Sequence, residues 1–415
     1  VNWTRRGPSL PCDTPRSPSE PPRSISEPPR SPPSTTLQML PCFSLAALAL
    51  HLGGAAPVLA PTRSRFGHSV MGISQDAEEW ISANVGPVER SSRMGGSGWA
   101  AFMRVAVKGS EREYFVKTSN RLSDAMFLGE ALGLRAMYAA NAVRVPEVLH
   151  CGDGMQGGSF IVMEYLPLGG RADPREFGRA MAQMHLAQPS VREAKEGKFG
   201  FALTNTIGGT TQPNRWDDDW VRFFREQRIG HQVKLAADAR ISKQWQVVLE
   251  ATDNLEKLFV GIRSQIKPSV LHGDLWSGNI AAVEGRPCVP HPVLQPRSLD
   301  HGIARPGLTG WGIITRPLLS SFFVRRCIFD PATYYGHHEA EWGMSWCASL
   351  GPAFWEGYRE HLPEDEGFHE RALLYELYHK LNHYNLFGGG YGSDSLNLMG
   401  QLARFGDDSP KEVAI

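Results

Sequence analysis

The 415-residue chain has no surplus of charge: 43 Lys and Arg stand against 43 Asp and Glu. Steering toward nucleic acid or an acidic membrane surface draws on a surplus of positive charge, so neither is expected as a partner. Cysteine is scarce, six in all, and no two of Cys12, Cys42, Cys151, Cys288, Cys327 and Cys347 form a CxxC pair. That argues against a zinc site or a disulfide framework and for reduced thiols. No run of 18 apolar residues occurs, so no stable membrane insertion is expected. Residue 1 is Val rather than Met, so a fragment or an upstream start is expected.

Proline is abundant at the start, ten of the first 36 residues, mixed with Ser and Arg. Such a stretch buries too little apolar surface to offset its ordering entropy, and it reads as disordered or non-coding. After Met39 an apolar run, Leu40 to Leu52, is broken by Pro41 and Ser44. Gly53-Gly54-Ala55-Ala56-Pro57 and the basic Thr62-Arg63-Ser64-Arg65 follow, with no acidic residue. This order suits a cleavable targeting segment of the signal-plus-plastid-transit kind. The alternative is a leader joined to a cytoplasmic protein that starts at Met71. Residues 1–70 are assigned to disordered leader and targeting segment, with a plastid location expected and a cytoplasmic one as alternative.

From Met71 the composition becomes globular. A short helix is expected around Asp76 to Asn84. Strands are expected over Arg93 to Ala106 and Glu113 to Thr118, around the turn Lys108-Gly109-Ser110. Ser123 or Asp124 is placed to cap a helix running to Ala140, with Phe127, Leu134 and Tyr138 on its buried side. Ser159 to Leu166 reads as an apolar strand and Phe177 to His185 as a helix, His185 being a satisfied core histidine. Leu373, Leu374, Leu377, Tyr378 and Leu381 recur at helical spacing before Gly388-Gly389-Gly390, which marks the final long helix. Strands first and helices later predict an α+β fold: a small β-rich N-lobe over residues 71–166 and a larger, mainly helical C-lobe over 167–415.

The chemistry concentrates in Val270-Leu271-His272-Gly273-Asp274-Leu275-Trp276-Ser277-Gly278-Asn279. An Asp followed five residues later by an Asn is the spacing of a phosphotransfer catalytic loop. Asp274 is placed to accept the proton of an attacking hydroxyl, and the side-chain oxygen of Asn279 is a hard ligand for Mg²⁺. An ordinary surface turn is the bland alternative, since Asp, Gly and Asn favour turns. Cys327-Ile328-Phe329-Asp330-Pro331-Ala332 offers a second metal carboxylate, Asp330, at a strand end; Asp300-His301-Gly302 is a decoy for it. Gly95-Gly96-Ser97-Gly98 lies between two strands, where backbone N–H groups approach phosphates. Trp216 and Trp220, four apart, are expected to share a helix face, and Asp217-Asp218-Asp219 to begin that helix. Packing is the preferred reading of Trp216.

The His-Gly-Asp-x-x-x-x-Asn pattern resembles the aminoglycoside-phosphotransferase and choline-kinase superfamily. With Leu-Trp-Ser-Gly inside it, the string is similar to the fructosamine/ketosamine-3-kinase family in particular. Gly273 stands where protein kinases carry Arg, and no Ala-Pro-Glu signature follows. The resemblance implies a protein-kinase-like two-lobe fold and ATP with Mg²⁺ as cofactors. It implies phosphorylation of the C3 hydroxyl of a ribulosamine or fructosamine, on glycated proteins or small ketosamines, leading to deglycation. It gives Asp274 the role of base and Asn279 and Asp330 the metal, with Lys117, held by Glu130, on the α/β-phosphates. Backbone atoms of Glu164 and Leu166 would hold adenine. His272, Trp276 and Trp216 are the sugar-side candidates. A substrate of aminoglycoside or choline type, or a pseudokinase, are the alternatives.

Two departures from the family pattern stand out. Asn279 and Asp330 are 51 positions apart where a short hairpin suffices. Residues 291–326, rich in Pro, Gly and Arg, look inserted, either as a surface loop of small entropic cost or as retained intron sequence. The glycine-rich turn also differs from the family's loop and lacks the Cys that some relatives carry, so redox control there is not expected.

Overall fold

A computed structural model describes residues 73–97, 100–121, 126–155, 157–283 and 325–405. Val, Phe and Tyr alternate with polar residues along its first half, and the pleat sends alternate side chains to opposite faces. Strands β1 (Val88–Gly96), β2 (Ala100–Val107), β3 (Glu113–Ser119), β4 (Val148–Asp153) and β5 (Ser159–Glu164) form one antiparallel sheet in the order β1-β2-β3-β5-β4. Helix α1 (Gln75–Asn84), capped by the Ser74 hydroxyl, packs Ala77 and Ile81 on the face that carries Val105, Val116 and Val162. Helix α2 (Phe127–Ala140) packs Phe127, Ala131 and Leu134 with Phe102, Ile161 and Met163. Ser123 and Asp124 lie outside the described residues. Tyr138 is 41 % exposed, contrary to expectation, because Met137 completes the buried arc of α2 instead. Asn141, with φ 50°, ends that helix in the left-handed region.

The second half is mainly helical, so the architecture is the expected α+β one. Helix α3 (Pro174–Leu186) begins at Asp173, whose carboxylate accepts the Arg175 N–H. A hairpin of β6 (Asn205–Ile207) and β7 (Thr210–Gln212) follows. Two small antiparallel ladders then pair the same two chain segments: β8 (Ser269–Leu271) with β11 (Tyr334–Gly336), and β9 (Ile280–Val283) with β10 (Arg325–Ile328). Arg325 and Arg326 belong to β10, so the expected insertion boundary at 326 falls inside a strand; residues 284–324 lie outside the described ones.

Two helical expectations need correction. The leucine-rich helix, Phe368–Phe387, is not the last. Gly388 and Gly389, with φ of 67° and 62°, reverse the chain into a further helix, Tyr391–Phe405, which packs back against it. Trp216 precedes its helix, which starts at Trp220 behind the N-cap Asp219, so the two tryptophans share no helix face. Trp220 is buried among Phe199, Phe223, Phe224 and Tyr375, while Trp216 is half-buried beside Tyr335. Among the described residues no helix is long and apolar enough to cross a membrane.

One helix pair bears directly on the site. Helix α3 and the helix Pro352–Arg359 touch backbone to backbone through reciprocal glycines. A Cβ on Gly178 would stand 2.0 Å from the Phe354 carbonyl oxygen, and one on Gly357 would stand 2.1 Å from that of Arg175. This approach lets His185 of α3 reach Tyr358 of the partner helix. Gly178→Val should therefore lower stability by about 1–3 kcal/mol through overpacking. Gly400→Ala, in a helix with open space around it, should raise it by about 0.5–1 kcal/mol. Urea-denaturation midpoints of the two variants check both signs.

Candidate active site

Lys117 lies near the end of β3, the middle strand of the sheet, on the face opposite Val116. Its ammonium meets Glu130 Oε1 at 2.7 Å and Asp330 Oδ1 at 2.8 Å. Lys117 and Glu130 are both buried. Burial weakens the ammonium's hold on its proton, but the charges of Asp330 and Glu130 outweigh it and raise the proton affinity above the ordinary lysine value. Glu130 is pushed up to about 7, first by burial and then by the neighbouring Asp330 charge, against the opposing pull of Lys117. One cation between two carboxylates leaves negative charge over in a half-dry cleft.

Asp330 reaches this position through a backbone in the left-handed region, φ 61°, which costs a non-glycine residue about 1–3 kcal/mol. Pro331 follows it, and the next residues are clamped: the Ala332 N–H donates to the His272 carbonyl at 2.9 Å, and the Phe329 N–H to that of Asn279 at 3.2 Å. The catalytic loop and the Asp330 turn are thus held between the two short ladders. Asn279 Nδ2 donates to the Asp274 carbonyl at 2.9 Å, and it lies 3.4 Å from Asp274 Oδ2 and 3.3 Å from the Asp330 carbonyl. Its own side-chain oxygen has no donor among the described residues. Asp274 is pushed up to about 7, chiefly by burial and next by the Asp330 charge, with the Asn279 hydrogen bond opposing.

Lys117, Glu130, Asn279 and Asp330 face a cleft of about 620 Å³, lined also by Phe102, Met163, Tyr165, Leu166 and Phe329. Its size and mainly apolar walls suit a nucleotide-sized ligand. Glu164 and Leu166 line the cleft as expected, but the Glu164 carboxylate is turned to Arg144 and the Glu147 N–H, and the Glu164 N–H donates to the Glu147 carbonyl at 2.8 Å. Gly95 sits at a β-bulge with φ 150°, and a Cβ on Gly96 would stand 2.6 Å from the Ala100 carbonyl oxygen. The Ser97 hydroxyl accepts the Ala100 N–H, closing the turn. Gly98 lies outside the described residues.

The sugar-side candidates fare differently. His272 is fully buried: its Nδ1 accepts the Asp274 N–H at 3.2 Å, so Nε2 carries the proton and donates to the Phe329 carbonyl at 2.9 Å. Burial depresses its basicity and keeps it neutral. It fastens the loop to the Asp330 turn, with both ring nitrogens engaged. Trp216 packs beside Tyr335 and Gly200. Trp276 is half-buried, its ring folded over Gly278, where a Cβ would stand 2.2 Å from the indole.

Two sets of residues carry the loop from beneath and were not among the expected ones. Glu341 is buried and accepts the N–H groups of His272 at 2.7 Å and Gly273 at 2.9 Å. Burial would raise its pKa, but His185, His272 and the Gly273 N–H outweigh that and lower it. His185, as expected, is a satisfied core residue: it meets Glu341 Oε2 at 3.3 Å and the Tyr358 hydroxyl at 2.9 Å. The buried amides Asn205 and Gln212 donate to the carbonyls of Thr333 and Ala332, at 2.9 and 3.0 Å. Only its place in the string after Asp330 set Glu341 apart in the sequence.

A sheet-borne lysine paired to a helix glutamate, a cleft at the sheet edge and two carboxylates with an amide beneath it define a kinase-like phosphotransferase. The family described as fructosamine kinase matches residues 73–404. The chloroplastic protein-ribulosamine 3-kinase of Arabidopsis thaliana is 39 % identical over 296 residues, covering 70 % of this chain and 76 % of its own. A probable ketoamine kinase of Synechocystis is 34 % identical, covering 80 % of this chain and 97 % of its own. A Haemophilus somnus crystal structure assigned as a fructosamine-3-kinase superposes with a TM-score of 0.58 at 22 % identity, over 79 % of this chain and 97 % of that one, and supports the fold. The chain belongs to the fructosamine kinase family and is an ATP-using kinase.

Two substitutions test the site's construction. Lys117→Met should lower kcat/KM for ATP by about 10²-fold or more, as loss of a preorganised charge does. Glu341→Gln should lower kcat by about 10- to 100-fold with KM for ATP nearly unchanged, since it loosens the loop without touching the nucleotide. Steady-state kinetics on folded protein, verified by circular dichroism, separate the two patterns.

Proposed function

We propose that this kinase phosphorylates the C3 hydroxyl of ketosamines, a ribulosamine or fructosamine on protein lysines or free in solution, and so promotes their removal. The observation that carries the reading is that Asn279 and Asp330 line one cleft with Lys117, with Asp274 bonded to Asn279 beside them, in a chain whose relatives are named for this chemistry. In this reading Asp274 orients the acceptor hydroxyl and takes its proton. Its raised proton affinity suits a base that must release and accept a proton near neutrality. Lys117, fixed by Glu130, neutralises charge on the α/β-phosphates. Trp276 forms part of the acceptor side. The backbone of Glu164 and Leu166 holds adenine, and the turn Gly95-Gly96-Ser97-Gly98 covers the phosphates.

The residues fit a divalent cation: Asp330 and Asn279 line the same cleft, two carboxylates share one ammonium there, and the Asn279 side-chain oxygen has no donor among the described residues. Asn279 and Asp330 would hold Mg²⁺, which when bound shields the charge of the transferring phosphoryl group. The chloroplastic assignment of the Arabidopsis relative and the basic, hydroxylated Thr62–Arg65 stretch support a plastid location. We assign residues 71–166 to the ATP-binding lobe and 167–415 to the catalytic lobe, the latter carrying the atypical insertion from about residue 291 to the start of β10.

The test is ATP turnover by the full chain on ribulosamine, fructosamine, kanamycin and choline, with Asp274→Asn as control. Turnover on a ketosamine that drops at least about 10²-fold in the variant is expected. Turnover on kanamycin or choline with none on either ketosamine overturns the reading.

A further inference from the structure

A second group of ligand-bearing side chains lies away from the cleft. His337 follows β11, His338 is next to it, and Asp365 comes from the loop before the helix Phe368–Phe387. One ligand atom from each of the three lies within 4.8 Å of the other two. We propose that His337, His338 and Asp365 form a binding site for a divalent transition ion of the zinc or cobalt class, and that its occupancy is felt at the catalytic loop.

The donor set is two imidazoles and one carboxylate, which selects transition ions over Mg²⁺. Three protein ligands with a fourth position open is the arrangement of an accessible zinc site. Both imidazoles are already oriented through their other nitrogen, as ligating histidines are. His337 Nδ1 meets the Tyr375 hydroxyl at 2.8 Å, and His338 Nδ1 meets that of Tyr358 at 3.2 Å. In the proposed site Nε2 of each would be the ligand atom. Of the neighbouring cations, Arg371, whose charge is felt at both histidines and at Asp365, is held in a two-pronged pair with Glu339 at 2.7 and 2.8 Å, and Arg359 is paired with Glu364. The Asp365 side chain has no hydrogen-bond or ion-pair partner among the described residues, and it is exposed on a loop. It is thus free to close toward the imidazoles, to the separation of about 3.3 Å that tetrahedral bonds of about 2.0 Å require. Beside His338 opens a small cavity of about 240 Å³, lined by Trp342, Tyr358, Arg359 and Glu364.

The coupling path is a continuous chain of buried polar contacts. From His338 it passes to the Tyr358 hydroxyl, then to His185 at 2.9 Å, then to Glu341 at 3.3 Å. Glu341 holds the N–H groups of His272 and Gly273, immediately before Asp274. An ion that draws His338 toward Asp365 acts on the first member of that chain. This second statement rests on the kinase reading; the metal site does not.

The experiment uses the full chain with Mg–ADP present to occupy the nucleotide cleft. Titration with Co²⁺ should give one equivalent bound with a visible d–d absorption band, displaced by Zn²⁺. Asp365→Ala and His338→Ala should each lose the band and bind Co²⁺ more than about tenfold more weakly. No band in the wild type, or the same band in Asp365→Ala, overturns the site. Asp365→Ala, a surface change, also decides the matter if the histidine variant fails to fold. In turnover assays on ribulosamine at saturating Mg–ATP, added zinc should lower kcat severalfold in the wild type and leave Asp365→Ala unaffected. An equal zinc response in both proteins overturns the coupling, while the spectroscopic result stands whether or not the kinase assay succeeds.

Discussion

The site depends on one buried ammonium shared by two carboxylates. Lys117 comes from the sheet, Glu130 from the helix behind it, and Asp330 from a turn more than two hundred residues further along the chain. Breaking a buried pair of this kind by removing one partner typically costs about 3–5 kcal/mol, because the remaining charge is left without compensation. The cation therefore fixes the sheet, α2 and the Asp330 turn relative to one another. Two negative charges against one positive also leave the cleft short of positive charge, which is why its edge suits a divalent ion and a polyphosphate together.

A site that works by position and electrostatics must be stiff before the ligand arrives. The stiffness here comes from below. The catalytic loop is pinned at both ends by two-stranded ladders, and in its middle by Glu341, whose carboxylate takes two backbone N–H groups. His272 ties the loop to the segment that carries Asp330. Asn205 and Gln212 satisfy the carbonyls beyond it, and they are in turn bonded to Asn214 and Tyr378. A buried network of this kind gives a single well-defined loop when every member is satisfied.

Much of this was legible from residue order. Asp274 and Asn279 are five apart on one loop, and local spacing of that kind survives any fold. Lys117 and Glu130 were readable because a strand and the helix after it bring such a pair together, and Asp330 because it ends a strand. What the sequence concealed shares another cause. Glu341, Asn205 and Gln212 act through partners far along the chain, and no periodicity marks a buried polar residue whose bond is tertiary. His272 has the same concealment: a histidine in a catalytic motif suggests substrate, yet one nitrogen is engaged by the Asp274 N–H and the other by the Phe329 carbonyl, far along the chain. Trp216 looked helical because Trp220 is, whereas the N-cap Asp219 between them starts the helix later. The last helix was missed because three glycines read as an ending, when two of them make a reversal.

The most direct measurement is a crystal structure of the full chain with AMP-PNP and Mn²⁺, the ion located by its anomalous signal. The account predicts the ion bound by the Asn279 side-chain oxygen and the Asp330 carboxylate at about 2.1–2.3 Å. The γ-phosphate should face Asp274, and Lys117 should touch the α/β-phosphates. An ion held by other residues, or a triphosphate lying away from Lys117, would contradict it.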